Sequence, residues 1–479
     1  MKKKKIFLVN LGLRRPLYPL ATPPMGLLYL SAYLRRELKN IDIFIINQRL
    51  ENCSLEVLCK WIQQYNPDII GISTLTTFAY LLPSFVPMIR TACPNAWLIV
   101  GGPHASAVRK DVFKDIDIDI LVPGEGEIAL KQIVESFPEK ESLQKIDGIY
   151  WKNDAGEIIA NSGLLSMIEN LDELPFPAYD LIDLPRYWKH QSIAPIVRRK
   201  YVSLVSSRGC PYQCMWCHSI FGKKIRMHSA ERVVDEIEYF GKKYNIADFE
   251  FLDDNFNFNP KRVIDIVELI HKRGLKTEVA FPTAIRGDIV TQEVIDAIHS
   301  IGTYLCGYSL ETGSSRLQKF TCKRLDIPKF LKAVEITAKK NIYITGFCMM
   351  GFPTETEEEL EQTIAVACKS RFHTASFFNV TPFPGTPLFE WVKENRPEKL
   401  EKLNYNNMDL SAMNVNLTDL PDEVLFAYQR KAMKRFYADP VRLYRLLRSY
   451  PKPLLLPYYI PIFVHRATKG LWNSGAPNC

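Results

Sequence analysis

The stretch Tyr201-Val-Ser-Leu-Val205-Ser-Ser-Arg-Gly-Cys210-Pro-Tyr-Gln-Cys214-Met-Trp-Cys217-His218 decides the reading of this chain. Residues 201–205 form a β-rich run, which predicts a strand. Gly209 and Pro211 break it, so Cys210, Cys214 and Cys217 fall on a loop at the strand's carboxyl end. Three thiolates spaced C-x3-C-x2-C can bind three irons of a [4Fe–4S] cluster, leaving the fourth iron open to a substrate or cosubstrate. Two other readings stand beside this one. One is a zinc site of Cys210, Cys214, Cys217 and His218, although adjacent residues 217 and 218 are poorly placed to point at one tetrahedral ion. The other is a set of structural thiols, for which a loop bearing Gly and Pro is a poor location.

Downstream, the strand signal recurs at 248–252, 277–283, 304–309, 342–349 and 374–380. Helical periodicity fills the gaps at 230–243, 260–272, 292–301, 327–340 and 356–369. Six βα repeats predict a partial or full parallel barrel over 196–395, with its active site at the carboxyl ends of the strands. Upstream, β-rich runs at 5–10, 41–47, 68–74, 97–101 and 118–122 alternate with helical segments such as 27–38 and 55–65. Their apolar stretches are continuous, as in strands buried on both faces, so 1–140 reads as a doubly wound parallel sheet. Residues 141–195 differ in texture, and the turn-rich Leu171-Asp-Glu-Leu-Pro-Phe-Pro177 marks a linker.

From 396 to 479 the β signal fades into a helical carboxyl-terminal region. Residues 421–470 hold ten Lys and Arg against three acids, +7 of the chain's net +8. Arg442, Arg445 and Arg448 recur at helical spacing beside Tyr444 and Leu447, before an apolar run at 453–464. This reads either as a helical lid on the barrel or as a membrane-surface patch for a lipid-like or tetrapyrrole substrate.

The whole chain has 479 residues, 47% hydrophobic and 24% charged, which excludes wholesale disorder and a disulfide-stapled miniprotein. A net charge of +8 permits acidic ligands or an anionic membrane, and with no helix-turn-helix spacing no nucleic-acid partner is expected. Eleven cysteines cannot all pair, which points to reduced thiols plus a metal site in the cytoplasm. The apolar run ending at Leu11 is too short for a signal peptide, and 453–464 is too short and proline-broken to span a bilayer.

A C-x3-C-x-aromatic-C loop after the first strand of a βα barrel resembles the radical S-adenosylmethionine enzymes, over roughly residues 195 to 390. The resemblance implies that the open iron chelates S-adenosylmethionine and that one electron, from a protein such as flavodoxin or ferredoxin, releases a 5′-deoxyadenosyl radical. It also implies roles residue by residue. Trp216 is at the position that contacts adenine. Where the family often has Gly-Gly-Glu, this chain has Phe251-Leu-Asp253-Asp254-Asn255, so Asp253 or Asp254 is the candidate acceptor from the amino group. Arg286 is the candidate partner of the carboxylate, and Glu311 of the ribose. The run from Ile344 to Gly351 resembles the fifth strand, on the adenine side.

Three loops of the first domain follow strands: Ser73-Thr74-Leu-Thr76, Gly101-Gly102-Pro-His104-Ala-Ser106 and Pro123-Gly124-Glu125-Gly126-Glu127. Glycines there allow close approach to a ligand at the edge where open α/β sheets bind. With the Leu-Pro-Phe-Pro linker they resemble the cobalamin-binding domain of one branch of these enzymes. Many such domains carry Asp-x-His-x-x-Gly after the second strand. Here the place reads Asn47-Gln-Arg-Leu-Glu-Asn52, so cobalamin would be bound without a protein imidazole.

Together the resemblances imply a cobalamin-dependent radical enzyme, first a C-methyltransferase acting on an unactivated carbon of a small-molecule or lipid-like substrate. One S-adenosylmethionine would methylate the corrin and a second would generate the radical that opens the substrate to that methyl. The alternative is a non-methylating enzyme of the tetrapyrrole-cyclase or hopanoid type. A cobalamin or redox sensor fits less well, because a sensor needs no open iron.

Overall fold

The computed structural model describes residues 3–14, 19–163, 166–196, 198–218, 220–405, 415–455 and 457. It divides into two compact units, 1–246 with 382–409, and 247–381 with 410–479.

The first unit opens on β1 (Lys4–Leu11), β2 (Ile41–Asn47), β3 (Ile69–Thr74), β4 (Trp97–Gly101) and β5 (Ile120–Leu121). These five pair in parallel, as expected. The sheet order is β2-β1-β3-β4-β5, continued by β6 (Tyr150–Lys152) and β7 (Ile158–Ala160). The order reverses between β2-β1 and β3-β4, the switch point of a doubly wound sheet. Phe7, Val9, Ile70, Ile72, Leu98 and Val100 are buried in its core, under helices that include Leu55–Tyr65 and Leu82–Ala92.

Strands β6 and β7 were not expected, since 150–160 fell within the presumed linker. They extend the sheet as an antiparallel hairpin. Gly156, at φ +82°, makes the turn, and the buried Trp151 donates its Nε1–H to Asn161 Oδ1 at 3.0 Å. Strands of three residues are too short for alternation to register in sequence.

Next in the first unit come β8 (Tyr201–Leu204), β9 (Ser207–Arg208) and β10 (Arg226–Met227). The second unit holds β11 (Asp248–Phe251), β12 (Glu278–Ile285), β13 (Thr303–Glu311), β14 (Tyr343–Met350) and β15 (Thr374–Asn379), each parallel to the next. The intervening helices Pro260–Lys272, Gln292–Ser300, Ile327–Lys339 and Glu357–Lys369 all begin alike. Asn259, Thr291, Asp326 and Thr356 each accept the backbone N–H three residues on, satisfying a donor the first turn leaves free. These caps sit where the sequence periodicity changes, which is why the expected boundaries lie within a residue or two of the observed ones.

The carboxyl-terminal region contributes helices Asp422–Tyr437 and Pro440–Ser449. The basic stripe predicted there is not all surface. Arg442 is 1% exposed, donates to the carbonyls of Cys368 and Phe372 at 2.5 Å, and lies 3.8 Å from the Phe436 ring centroid. It therefore caps the exit of helix Glu357–Lys369 from inside. Val441, Tyr444 and Leu447 face outward instead. Most of the apolar run 453–464, with Arg466 and Lys469, lies outside the described residues. Among the described residues no helix is long and apolar enough to cross a membrane.

Candidate active site

Within the first unit, two short paired strands close the cysteine loop. Arg208 faces Arg226 and Ser207 faces Met227. Gly209 has φ +88°, and a Cβ there would stand 2.4 Å from the Lys224 carbonyl oxygen, so only glycine passes one residue before Cys210. Within the loop, Cys210 N–H donates to Gly222 O at 3.4 Å and Cys217 N–H to Cys214 O at 3.1 Å. Lys223 Nζ donates to Tyr212 O at 2.8 Å. Cys210 and Cys214 are half-buried and Cys217 is exposed, and none of the three is in a disulfide. Trp216 is half-buried on the same turn.

Among the described residues no three His, Cys, Asp or Glu side chains converge into a metal cage. The three thiols therefore share a loop without meeting at one point, and His218 does not join them. Its ring lies 5.9 Å from that of Phe383, and burial lowers its pKa. Thiolates repel one another and gather around a cation. Three soft sulfurs on one loop are a donor set that fits three irons of an iron–sulfur cluster.

The base of this loop is held by buried charge. Arg208 Nη1 donates to Glu125 Oε2 at 2.9 Å and its Nη2 to Glu127 Oε1 at 2.7 Å. Arg226 Nη1 donates to Glu125 Oε2 at 3.1 Å and to Ile168 O at 2.6 Å, and its Nη2 meets Glu125 Oε1. All four side chains are at most 5% exposed. Burial works against charge on Arg208, but Glu127 and Glu125 outweigh it and hold its pKa above the usual value. Glu125, expected at the corrin edge, thus spends its carboxylate on the cysteine loop.

At the carboxyl edge of the first sheet the glycine loops form one network. Gly102 has φ +80°, and a Cβ there would lie 2.3 Å from Ser73 Oγ. Ser106 Oγ donates to Gly102 O at 2.8 Å and accepts from Gly124 N–H at 2.8 Å. Thr74 Oγ1 donates to Leu11 O at 3.1 Å. Gly101 and Gly126 lie at the starts of helices Gly102–Val108 and Glu127–Ser136. His104 is 3.4 Å from Thr76 Oγ1, and burial lowers its pKa to about 4, so it is neutral at pH 7. Where the lower-ligand motif was missing, Asn47 instead ties the strand ends, accepting from Asn10 at 2.9 Å and donating to Thr22 O at 2.9 Å.

Sequence reading passed over one further segment of this unit. Gly385, at φ +76°, approaches Ala107 so closely that a Cβ would stand 2.9 Å from its backbone, and Leu388 N–H donates to Met215 O at 2.8 Å. The segment 382–388 thus touches both a ligand-edge helix and the cysteine loop. Its Phe-Pro-Gly-Thr turn was the available signal.

In the second unit the expected residues all lie at strand ends. Just past β11, Asp253 is buried and Asp254 exposed. Arg286 directly follows β12 and is locked, its N–H donating to Asn257 Oδ1 at 2.9 Å and its Nη2 to Lys323 O at 3.0 Å. Its guanidinium also pairs with Asp288 at 2.8 Å, so a ligand carboxylate would share it with that side chain. Glu311 ends β13 at a bulge, in the left-handed region at φ 64°, where a non-glycine residue is strained. It is buried, with Lys323 Nζ at 3.4 Å; burial raises its pKa and Lys323 opposes the rise.

Residues 204–367 match the radical SAM superfamily, and residues 18–134 match the B12 binding domain. The chain is 31% identical over 421 residues, 87% of its length and 88% of the relative's, to an uncharacterized methyltransferase of Pyrococcus horikoshii. It is 25% identical over 422 residues, 86% of its length and 67% of the relative's, to the anaerobic magnesium-protoporphyrin IX monomethyl ester cyclase of Cereibacter sphaeroides. Its fold is similar to that of OxsB, a cobalamin-dependent S-adenosylmethionine radical enzyme solved with aqua-cobalamin and S-adenosylmethionine. The TM-score is 0.71 at 18% identity, covering 98% of this chain and 75% of that one. The expected architecture holds: a doubly wound sheet, a partial (β/α)6 barrel and a helical carboxyl-terminal region. The chain therefore belongs to the cobalamin-dependent radical S-adenosylmethionine methyltransferase family, enzymes whose cofactors are a [4Fe–4S] cluster, S-adenosylmethionine and cobalamin.

Proposed function

We propose that the chain is a C-methyltransferase acting on an unactivated carbon of a small-molecule or lipid-like substrate. What carries the reading is the three-cysteine loop, without a disulfide, in a chain that aligns over 87% of its length with a methyltransferase. When bound, the cluster and S-adenosylmethionine supply a carbon-centred radical and cobalamin carries the methyl group. The chain's own part is placement and exclusion of water. Cys210, Cys214 and Cys217 would hold three irons. Trp216 would lie against the adenine, Asp253 or Asp254 would accept from the amino group, Arg286 would bind the carboxylate beside Asp288, and Glu311 would meet the ribose. Ser73, Thr74, Gly101, Gly102, Gly124 and Gly126, with the backbone of Glu125, offer the corrin a close edge. The working modules are 1–140 with the hairpin of β6 and β7, the rest of 141–195 as linker, 196–395 and 396–479, and a flavodoxin or ferredoxin supplies electrons.

The likeness to a cyclase supports a second reading, ring closure without net methyl transfer. None of the ten described cysteines is in a disulfide, which supports a reducing, cytoplasmic location. Helix Pro440–Ser449 exposes Val441, Tyr444 and Leu447, which supports peripheral contact with an anionic membrane.

The test is anaerobic purification with iron, sulfide and hydroxocobalamin, then reduction in the presence of S-adenosylmethionine. Bound corrin with both 5′-deoxyadenosine and S-adenosylhomocysteine is the expected result. The first product without the second favours ring closure. Iron without corrin overturns the assignment of the first sheet.

A further inference from the structure

Two arginines face each other across β9 and β10, the strands that close the cysteine loop. Like charges directly opposite on paired strands push them apart. The ladder itself has only two residue pairs to resist this. Glu125 reaches both guanidiniums with one carboxylate, and Glu127 takes the remaining edge of Arg208. The repulsion becomes a clasp. Burying four charges is expensive, and apolar side chains would pin two strands at less cost, so stability alone does not account for the arrangement.

What distinguishes it is position. Arg208 stands two residues before Cys210, and Glu125 follows Gly124, which is hydrogen-bonded through Ser106 to Gly102 at the ligand edge. The clasp is neutral, with two charges of each sign, so it acts through geometry and not by adding net charge beside the irons.

We propose that Glu125 and Glu127 are positioning residues for the iron–sulfur site, clasping Arg208 and Arg226 so that the loop presents its three thiolates at the spacing a cluster needs. This rests on the reading that Cys210, Cys214 and Cys217 ligate iron. Removing the clasp opens the loop at its base and loosens the thiolates, while the sheet edge that takes the corrin keeps its glycines.

The experiment compares the reconstituted wild-type chain with Glu125→Gln and with Glu236→Gln, which alters another buried ion pair of the same unit, Arg232–Glu236 at 2.7 Å. Three quantities are read: iron per chain, the rate of iron loss to a chelator well below the melting temperature, and hydroxocobalamin bound. In Glu125→Gln iron loss should be about tenfold faster, by more than any change in hydroxocobalamin bound, and Glu236→Gln should behave as wild type. Iron loss from Glu125→Gln within about twofold of wild type overturns the clasp. So does an equal acceleration in Glu236→Gln, which would make the effect one of general stability. If Glu125→Gln does not fold, Glu127→Gln, which frees one edge of Arg208, is read the same way, with a smaller acceleration expected and none overturning the proposal. A wild-type chain that takes up no iron overturns the cysteine reading itself and the clasp with it, an outcome distinct from the others.

Discussion

A serine hydroxyl is a far poorer iron ligand than a thiolate, so Cys214→Ser should greatly weaken the broad visible absorbance and the reduced-state EPR signal of a reconstituted cluster. Far-UV circular dichroism should not change, since Cys214 is half-buried on a loop and outside any core. A cluster of unchanged intensity would remove Cys214 from the ligand set. A second residue-scale consequence concerns Glu355. Its Oε2 accepts from the N–H of Gly351 at 2.6 Å and of Phe352 at 3.0 Å, and burial pushes its pKa up to about 8. A carboxyl raised above its unfolded value of 4.5 contributes stability that is complete below that pH and lost as pH rises through about 8. Glutamine keeps the accepting oxygen without the charge. Wild type should therefore lose on the order of a few kcal/mol more than Glu355→Gln between about pH 5 and about pH 8. Parallel melting profiles for the two proteins would disprove this.

At the scale of the element, helix Glu357–Lys369 is defined at both ends by side chains. Thr356 and Glu359 form a reciprocal capping box at its start. Thr356→Ala should cost about 1 kcal/mol in urea unfolding. At its exit Arg442, from a helix 70 residues on, covers the carbonyls of Cys368, Ser370 and Phe372. Arg442→Met keeps bulk over the Phe436 ring but leaves those acceptors bare, and should cost about 2–3 kcal/mol. A loss below that of Thr356→Ala would mean that water replaces the guanidinium there. Both substitutions lie away from the proposed ligand contacts, so iron and corrin content should follow wild type.

For the whole molecule, the outward face of helix Pro440–Ser449 bears Val441, Tyr444 and Leu447, of which Tyr444 is 62% exposed. If that face meets a membrane, Tyr444→Ser with Leu447→Ser should weaken sedimentation with phosphatidylserine vesicles about tenfold, and high salt should weaken the wild type. Unchanged vesicle binding would leave the face as ordinary surface. The helices, parallel strands and cysteine loop were legible in the sequence because each has a local cause: continuous apolar runs, a 3.6-residue period with polar caps, and three thiols at fixed spacing. The hairpin of β6 and β7 was not, because two three-residue strands carry too little pattern. Glu125 read as a ligand-edge residue because its neighbours are glycines. Arg208 and Arg226 carry no signal in the sequence, since nothing near them in the chain pairs with them. Glu125 lies 83 residues from Arg208 and 101 from Arg226. By itself, then, the sequence determined the fold class and the three thiols, matters of local pattern, and its family resemblance implied the cofactor set. Only the tertiary structure decided that Glu125 clasps the cysteine loop, that Asp288 already holds Arg286 and that Arg442 turns inward, because the partner of a buried charge is chosen by packing and not by distance along the chain.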